Sequence, residues 1–80
     1  MQRHYLTLPE LGIDGGPIVV SLWLVERGSR VEAGAPVLEV LAGAATVDLP
    51  APADGLLVET LVGEDEPLRV GQRLAVIQGS

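Results

Sequence analysis

Turn-forming residues interrupt this sequence so often that a helix of ordinary length has no room. The 80 residues include ten glycines and six prolines, spread along the chain rather than pooled in one linker. The turn signals lie at residues 12–17, 27–29, 33–36, 42–44, 50–55, 63–67 and 70–72. The segments between them are short and rich in leucine and β-branched residues: 4–8, 18–25, 36–41, 45–49, 56–62 and 73–78. This spacing predicts an all-β sandwich or barrel.

Side-chain alternation supports the strand assignment. In the segment 45–49, Val47 and Leu49 face one way while Thr46 and Asp48 face the other. The segment 18–25 is apolar at nearly every position. It is therefore predicted to be a strand buried on both faces, or one whose outer face is covered by a neighbouring segment.

The chain contains an internal repeat with an offset of 37 residues. Each copy has an apolar residue, two spacers, a glycine, two spacers and a second apolar residue. The copies are Val31, Gly34 and Val37, and Leu68, Gly71 and Leu74. Each glycine is predicted to take a positive φ in a tight turn between two inward-pointing side chains. Two such halves, related by a pseudo-twofold axis, can close around a shared core.

Composition favours one small domain over residues 1–80, with a core at about 4–78. The formal charge of −6 argues against partners rich in phosphate, namely nucleic acid and anionic membranes. No apolar run approaches the ~20 residues of a membrane helix. Aromatic residues make up only 2%, so the core is predicted to consist of Val, Leu, Ile and Ala. We expect a cytoplasmic domain that is monomeric in isolation.

Residues that commonly carry catalysis or bind metals are scarce. There is no cysteine and only one histidine, His4, so thiolate chemistry, a zinc site or a catalytic triad is not expected. The basic residues are all arginines, and these 80 residues include no lysine. Chemistry that requires a side-chain amine, such as a Schiff base or an amide-linked prosthetic group, is therefore excluded for them. We expect no catalytic residues, no metal site and no enzymatic activity.

Several stretches resemble the lipoyl domains of the acyltransferase components of 2-oxo acid dehydrogenase complexes. They are residues 8–12 (LPELG), Trp23-Leu24, Gly28, residues 31–34 (VEAG) and residues 45–55 (ATVDLPAPADG). The last stretch is similar to the lipoyl pattern that immediately follows the modified lysine. Biotin carrier domains share the fold but place Met on both sides of their lysine, and this hairpin has none. The lipoyl branch is therefore the closer match.

The resemblance implies a flattened sandwich of two four-stranded antiparallel sheets with pseudo-twofold symmetry. It also implies a swinging arm, lipoamide carried on a lysine at the tip of a β-hairpin. Where the family has Asp-Lys-Ala, this chain has Gly43, Ala44 and Ala45, so Ala44 occupies the position of the lipoyl-bearing lysine. No cofactor is expected there, because no lysine is present to hold lipoate.

The hairpin tip departs from the family more widely than at one residue. The family usually has acidic residues near the tip, whereas here Leu41, Ala42 and Gly43 leave it uncharged and partly apolar. The ligase and the decarboxylase that recognise the tip in the family are therefore doubtful partners. The uncharged tip, residues 41–45, is interpreted with equal weight as a surface that binds a partner or as a hairpin turn without a binding role.

Three functional hypotheses follow. The first is a non-catalytic lipoyl-like domain that acts as a structural or protein-docking module, with a decarboxylase or other component of a 2-oxo acid dehydrogenase complex as partner. The alternative is a swinging-arm carrier whose lysine was lost or removed. The third, an efflux-adaptor segment, is disfavoured because such proteins insert a long helical hairpin between half-motifs that are contiguous here.

Three other features are interpreted as structural. Trp23 is predicted to be a core or seam residue rather than a binding hot spot. His4 is predicted to be solvated. The acidic run of Glu64, Asp65 and Glu66 is predicted to be a solvated turn, since calcium loops need ligands that are spaced apart.

Overall fold

The computed structural model describes residues 2–12 and 16–79, all of whose regular elements are strands. The strands are β1 (Arg3–Thr7), β2 (Ile18–Trp23), β3 (Arg30–Val31), β4 (Pro36–Ala42), β5 (Ala45–Pro50), β6 (Gly55–Thr60), β7 (Pro67–Leu68) and β8 (Arg73–Gln78). They form two four-stranded antiparallel sheets. Sheet A has the order β1-β8-β6-β3 and sheet B the order β5-β4-β2-β7. The predicted architecture is confirmed. Residues 13–15 of the predicted turn 12–17 lie outside the described residues.

The two sheets are copies of one arrangement. Exchanging β1 with β5, β2 with β6, β3 with β7 and β4 with β8 converts the strand order of one sheet into that of the other. The irregularities repeat as well. The ladder register shifts between Val20 and Leu22 in β2, and between Leu57 and Glu59 in β6, an offset of 37 residues. The repeat seen in the sequence therefore has a structural counterpart.

The repeated glycines occupy matching turns. The amide of Gly34 donates to the Ala51 carbonyl over 3.0 Å, and that of Gly71 donates to the Leu8 carbonyl over 2.8 Å. Both glycines have a φ of +87°, in the left-handed region that side chains disfavour. The predicted positive φ is confirmed at both positions.

This symmetry predicts equal costs for Gly34→Ala and Gly71→Ala. Open space surrounds the added Cβ at both sites, so the penalty is only the backbone strain, about 1 kcal/mol of unfolding free energy each. Gly63→Ala is the matched control, since its φ lies outside the left-handed range and its surroundings are also open. Urea denaturation measures all three. Costs that differ by more than about 1 kcal/mol between Gly34→Ala and Gly71→Ala would contradict the equivalence.

The core lies between the two sheets and consists of Leu, Val, Ile and Ala side chains, as predicted. Trp23 packs against its edge, and the indole Nε1 donates to the Val62 carbonyl over 3.1 Å. Because Trp23 ends a strand of sheet B and Val62 follows β6 of sheet A, the indole joins the two sheets. The seam position predicted for Trp23 is confirmed.

Two expectations about strands were wrong. Segment 18–25 is not buried on both faces: β2 ends at Trp23, and Leu22 and Leu24 are exposed. The physical reason is that the described residues form only two layers, so the outer face of sheet B has no covering segment. Strands β3 and β7, which have two residues each, were also missed, because two residues carry no periodic pattern. No helix among the described residues is long and apolar enough to cross a membrane.

Candidate functional site

The hairpin between β4 and β5 is the candidate site. Its ladder is regular up to the last pair, Ala42 and Ala45, so that Gly43 and Ala44 alone form the turn. Gly43 has a φ of +63°, whereas the φ of Ala44 is not positive. This is the φ pattern of a type II′ turn, whose twist matches that of the two strands and which takes glycine at its first central position. The glycine therefore determines the shape of the tip.

The side chains at the surface of the tip carry no reactive or charged group. Ala42 is buried against the core side, while Gly43, Ala44 and Ala45 are exposed. Ala44, which the sequence resemblance places at the lysine position, ends in a methyl group. It offers no amine, no hydrogen-bonding group and no charge. The tip itself can make backbone and apolar contacts but cannot form a covalent bond to a carboxylic acid.

Two other parts of the chain reach the same end of sheet B. Ile18, the first residue of β2, pairs with Ala42 on one side and with Leu68, the last residue of β7, on the other. Residues 16–17, directly before β2, and the turn after β7 therefore flank the hairpin. Val70, in that turn, is exposed. The sequence alone does not indicate that these segments lie near the tip, because it does not show the pairing of β7 with β2.

The nearest charges to the tip on this hairpin are acidic. Glu39 of β4 and Asp48 of β5 are directly opposite each other, three residue pairs from the turn. The Glu39 carboxylate Oε2 accepts a hydrogen bond of 2.9 Å from the Ser21 hydroxyl of the neighbouring strand β2. These groups lie on the outer face of sheet B, since the alternating residue Leu49 is buried. The hairpin therefore has a neutral tip and an acidic middle.

The structure places the other candidate residues in structural roles. Glu66 Oε1 accepts from the Gly63 amide over 3.1 Å, and the Glu66 amide donates to the Gly63 carbonyl, so the acidic run forms a turn. Asp65 in that turn has a φ of +65°. Residues 2–12 and 16–79 contain no group of three His, Asp or Glu side chains that could hold a metal ion. His4 is half-buried, and its imidazole Nε2 lies 3.3 Å from the position that an added Cβ on Gly79 would occupy.

One structural contact was missed at the sequence level. The Asp54 carboxylate Oδ1 accepts from the Ala33 amide over 2.7 Å and thereby joins the turn before β4 to the turn before β6. Sequence reasoning identified residues 54–55 only as a turn. The two residues are 21 positions apart in the sequence, so no local sequence pattern indicates this hydrogen bond.

Comparison with known proteins places this fold and hairpin in context. Residues 4–77 match the biotin/lipoyl family model, which is described as biotin-requiring enzyme. The chain belongs to the biotin/lipoyl family. Its match to that family covers all eight strands except one residue at each end.

Three curated relatives of this biotin/lipoyl domain are acyltransferase components. The acetyltransferase component of the Corynebacterium glutamicum pyruvate dehydrogenase complex is 36% identical over 70 residues, covering 88% of the chain and 10% of the relative. The acetyltransferase component of the Pseudomonas putida acetoin cleaving system is 34% identical, covering 95% and 20%. The acyltransferase component of the Bacillus subtilis branched-chain alpha-keto acid dehydrogenase complex is 29% identical, covering 98% and 18%. The chain thus spans a fifth or less of these relatives.

A solved structure shares the fold. The lipoyl domain of the Azotobacter vinelandii 2-oxoglutarate dehydrogenase complex superposes with a TM-score of 0.71 at 16% identity, covering 92% of this chain and 96% of that one. The domain is therefore a lipoyl domain in its architecture, related to acyltransferase components of 2-oxo acid dehydrogenase complexes. An amide-linked lipoyl group needs a side-chain amine; these 80 residues contain no lysine, and Ala44 at the tip ends in a methyl group.

Proposed function

We propose that this domain is a non-catalytic docking or structural module of an acyltransferase-related protein, and that it carries no lipoyl group. The observation behind the proposal is an intact type II′ hairpin whose exposed tip residue is Ala44. The hairpin that would present a lysine is retained, whereas the side-chain amine that would be acylated is absent.

The chemistry of attachment supports this. Lipoate is joined to its carrier through an amide, which requires a nucleophilic amine at the tip. The five basic residues of the chain are arginines, and their guanidinium groups remain protonated and are poor nucleophiles. The domain would therefore act only through the contacts that its surface makes with other proteins. Its partners would be proteins of the kind that its relatives assemble with, such as a decarboxylase or an acyltransferase core, in the cytoplasm.

Intact mass provides the first test. After co-expression with a lipoate ligase and with a biotin ligase, each with its free acid supplied, we expect the mass of the bare chain. A lipoyl domain from a relative, expressed in the same cells, is the positive control for the ligase. A mass gain of one lipoyl or one biotinyl group would contradict the proposal, and peptide mapping would locate the attachment.

A lapsed carrier is the second candidate function. It is supported by the regularity of the hairpin, since β4 and β5 pair residue by residue from Leu38 to Ala42 with no bulge near the tip. A hairpin that had taken on a new binding role at its tip would not need to retain this geometry. Restoring the lysine tests this candidate, because a folded variant that is not acylated would contradict it.

A further inference from the structure

The outer faces of the two sheets differ in chemistry although their backbones repeat. At positions 37 residues apart, sheet B has Leu22 where sheet A has Glu59, and Leu41 where sheet A has Gln78. The backbone therefore accepts polar side chains at these positions. The leucines on sheet B are not a requirement of the fold.

On sheet A, the outward apolar residue Val76 is covered, whereas Leu56 on the same face is 42% exposed. Val76 of β8 is only 3% exposed; its cross-strand neighbour is Tyr5, and the Arg73 guanidinium lies 4.0 Å from the centre of the Tyr5 ring. On sheet B, Leu22 is 49% exposed and Leu41 is 38% exposed. Isolated exposed leucines are ordinary, but Leu41 has the apolar Val19 as its cross-strand neighbour.

Three exposed apolar residues of sheet B and the half-buried Val19 form a strip. Leu41, Val19 and Pro67 are cross-strand neighbours on three adjacent strands, and Leu22 lies further along β2 on the same face. We call these four residues the sheet B strip. It begins two residues before the hairpin turn and crosses the sheet to its edge at β7.

An acidic pair lies beside the sheet B strip. Glu39, the cross-strand neighbour of Leu22, is also directly opposite Asp48. Like charges in direct cross-strand positions destabilise a sheet. The four strands of sheet B contain no arginine, lysine or histidine to offset this repulsion. The strands of sheet A, in contrast, contain three arginines and one glutamate.

We propose that the outer face of sheet B, the strip together with Glu39 and Asp48, docks a partner protein that presents apolar side chains with Arg or Lys beside them. This rests on the proposed docking function and names its surface. The apolar side chains of the partner would cover Leu22 and Leu41, and its cations would offset the acidic pair. A second copy of this chain is a poorer occupant, since two sheet B faces would oppose their acidic pairs and each chain has a charge of −6.

The first experiment replaces one leucine on each face. Leu22→Glu disrupts the strip but also places a carboxylate opposite Glu39, whereas Glu59 at the equivalent position is opposite Val76, so folding of this variant is verified by circular dichroism. Leu22→Gln interrupts the strip without adding a charge, and it should weaken binding in the same direction. Leu56→Glu is the matched control, because Leu56 is 42% exposed on the outer face of sheet A. The probes are the purified decarboxylase and acyltransferase components of the 2-oxo acid dehydrogenase complexes of the source cell, titrated by calorimetry. For a component that binds, we expect the dissociation constant to rise about tenfold or more with Leu22→Glu. With Leu56→Glu it should change less than about twofold.

The second experiment removes one member of the acidic pair. Asp48→Asn ends the like-charge opposition with Glu39, so the melting temperature should remain equal or rise. The same change should weaken binding severalfold and reduce its dependence on salt. A rise in melting temperature with unchanged affinity would overturn the proposed role of the pair in docking.

The remaining outcomes separate the two proposals. If the partner binds with equal affinity to wild type, Leu22→Glu and Leu56→Glu, the outer face of sheet B is not the docking surface. The docking function itself would not be contradicted by that result. If no purified component binds the wild-type chain, the docking function is itself overturned, and the face with it. Sedimentation measures whether the chain self-associates. If the wild type self-associates and Leu22→Glu does not, the outer face of sheet B binds a second copy of the chain, which would contradict the proposal.

Discussion

A chain with Gly43→Asp and Ala44→Lys is expected to accept one lipoyl group, whereas the wild-type chain accepts none. The lysine supplies the missing amine at an exposed tip, and the aspartate restores the Asp-Lys-Ala order that the sequence resemblance implies. Asp at a φ of +63° adds strain of about 1 kcal/mol, which the domain should tolerate. Ala44→Lys alone keeps Gly43 and its turn, and we expect it to be acylated less. Intact mass after co-expression with a lipoate ligase measures all three chains.

The control for this experiment separates chemistry from recognition. Ala45→Lys places an amine one residue further along, where β5 has already begun and the side chain has left the turn. It should remain bare if presentation at the tip matters. If the double variant is folded by circular dichroism and still gains no mass, the hairpin has diverged in surface or shape. That result would favour the docking module and contradict the lapsed carrier.

Gly55→Ala is expected to cause the largest loss of stability of any single methyl addition considered above, about 3 kcal/mol. Gly55 begins β6 and is buried, and an added Cβ would lie 2.8 Å from the carbonyl carbon of Gln78 and closer still to its oxygen. That backbone cannot move freely, because the next amide, Gly79, donates to the Gln2 carbonyl over 2.8 Å. For a domain of this size, such a cost is a large share of the total unfolding free energy.

Urea denaturation measures the effect, with Gly63→Ala again as the matched glycine control. Gly63→Ala should change the unfolding free energy by less than about 0.5 kcal/mol, since it meets nothing within 4 Å. A Gly55→Ala chain within about 1 kcal/mol of wild type would show that β8 can shift away from the added methyl group. If the variant does not fold at all, the predicted direction is confirmed.

The sequence predicted those features that repeat or alternate. The alternation around Val47 and the 37-residue spacing of Gly34 and Gly71 led to the two-sheet fold and to matching turns, because periodicity records which side chains face the core. The hairpin tip was located at Gly43 and Ala44, which immediately precede the lipoyl-like stretch 45–55. In each of these cases the signal is a short local pattern, which in the case of the glycines occurs twice.

Features that depend on approach between distant segments were not predictable. The contact of Gly55 with Gln78 has no counterpart in the repeat, since the residue equivalent to Gly55 is Ile18. The exposed outer face of β2 was misread, because an apolar run does not show whether another layer covers it. Glu39 and Asp48 could be identified as cross-strand neighbours only from the register of β4 and β5, which the sequence does not show.

The matching of the two halves also bears on where the chain could be cut. The symmetry that carries β4 into β8 carries the turn after Ala42 onto the position of Gly79, which is hydrogen-bonded to Gln2. A covalent link from Gly79 to Gln2, together with a break between Gly43 and Ala44, would give a circularly permuted chain with the same two sheets. In topological terms the domain is a closed ring of eight strands, in which the hairpin tip and the hydrogen-bonded pair of Gln2 and Gly79 are equivalent positions.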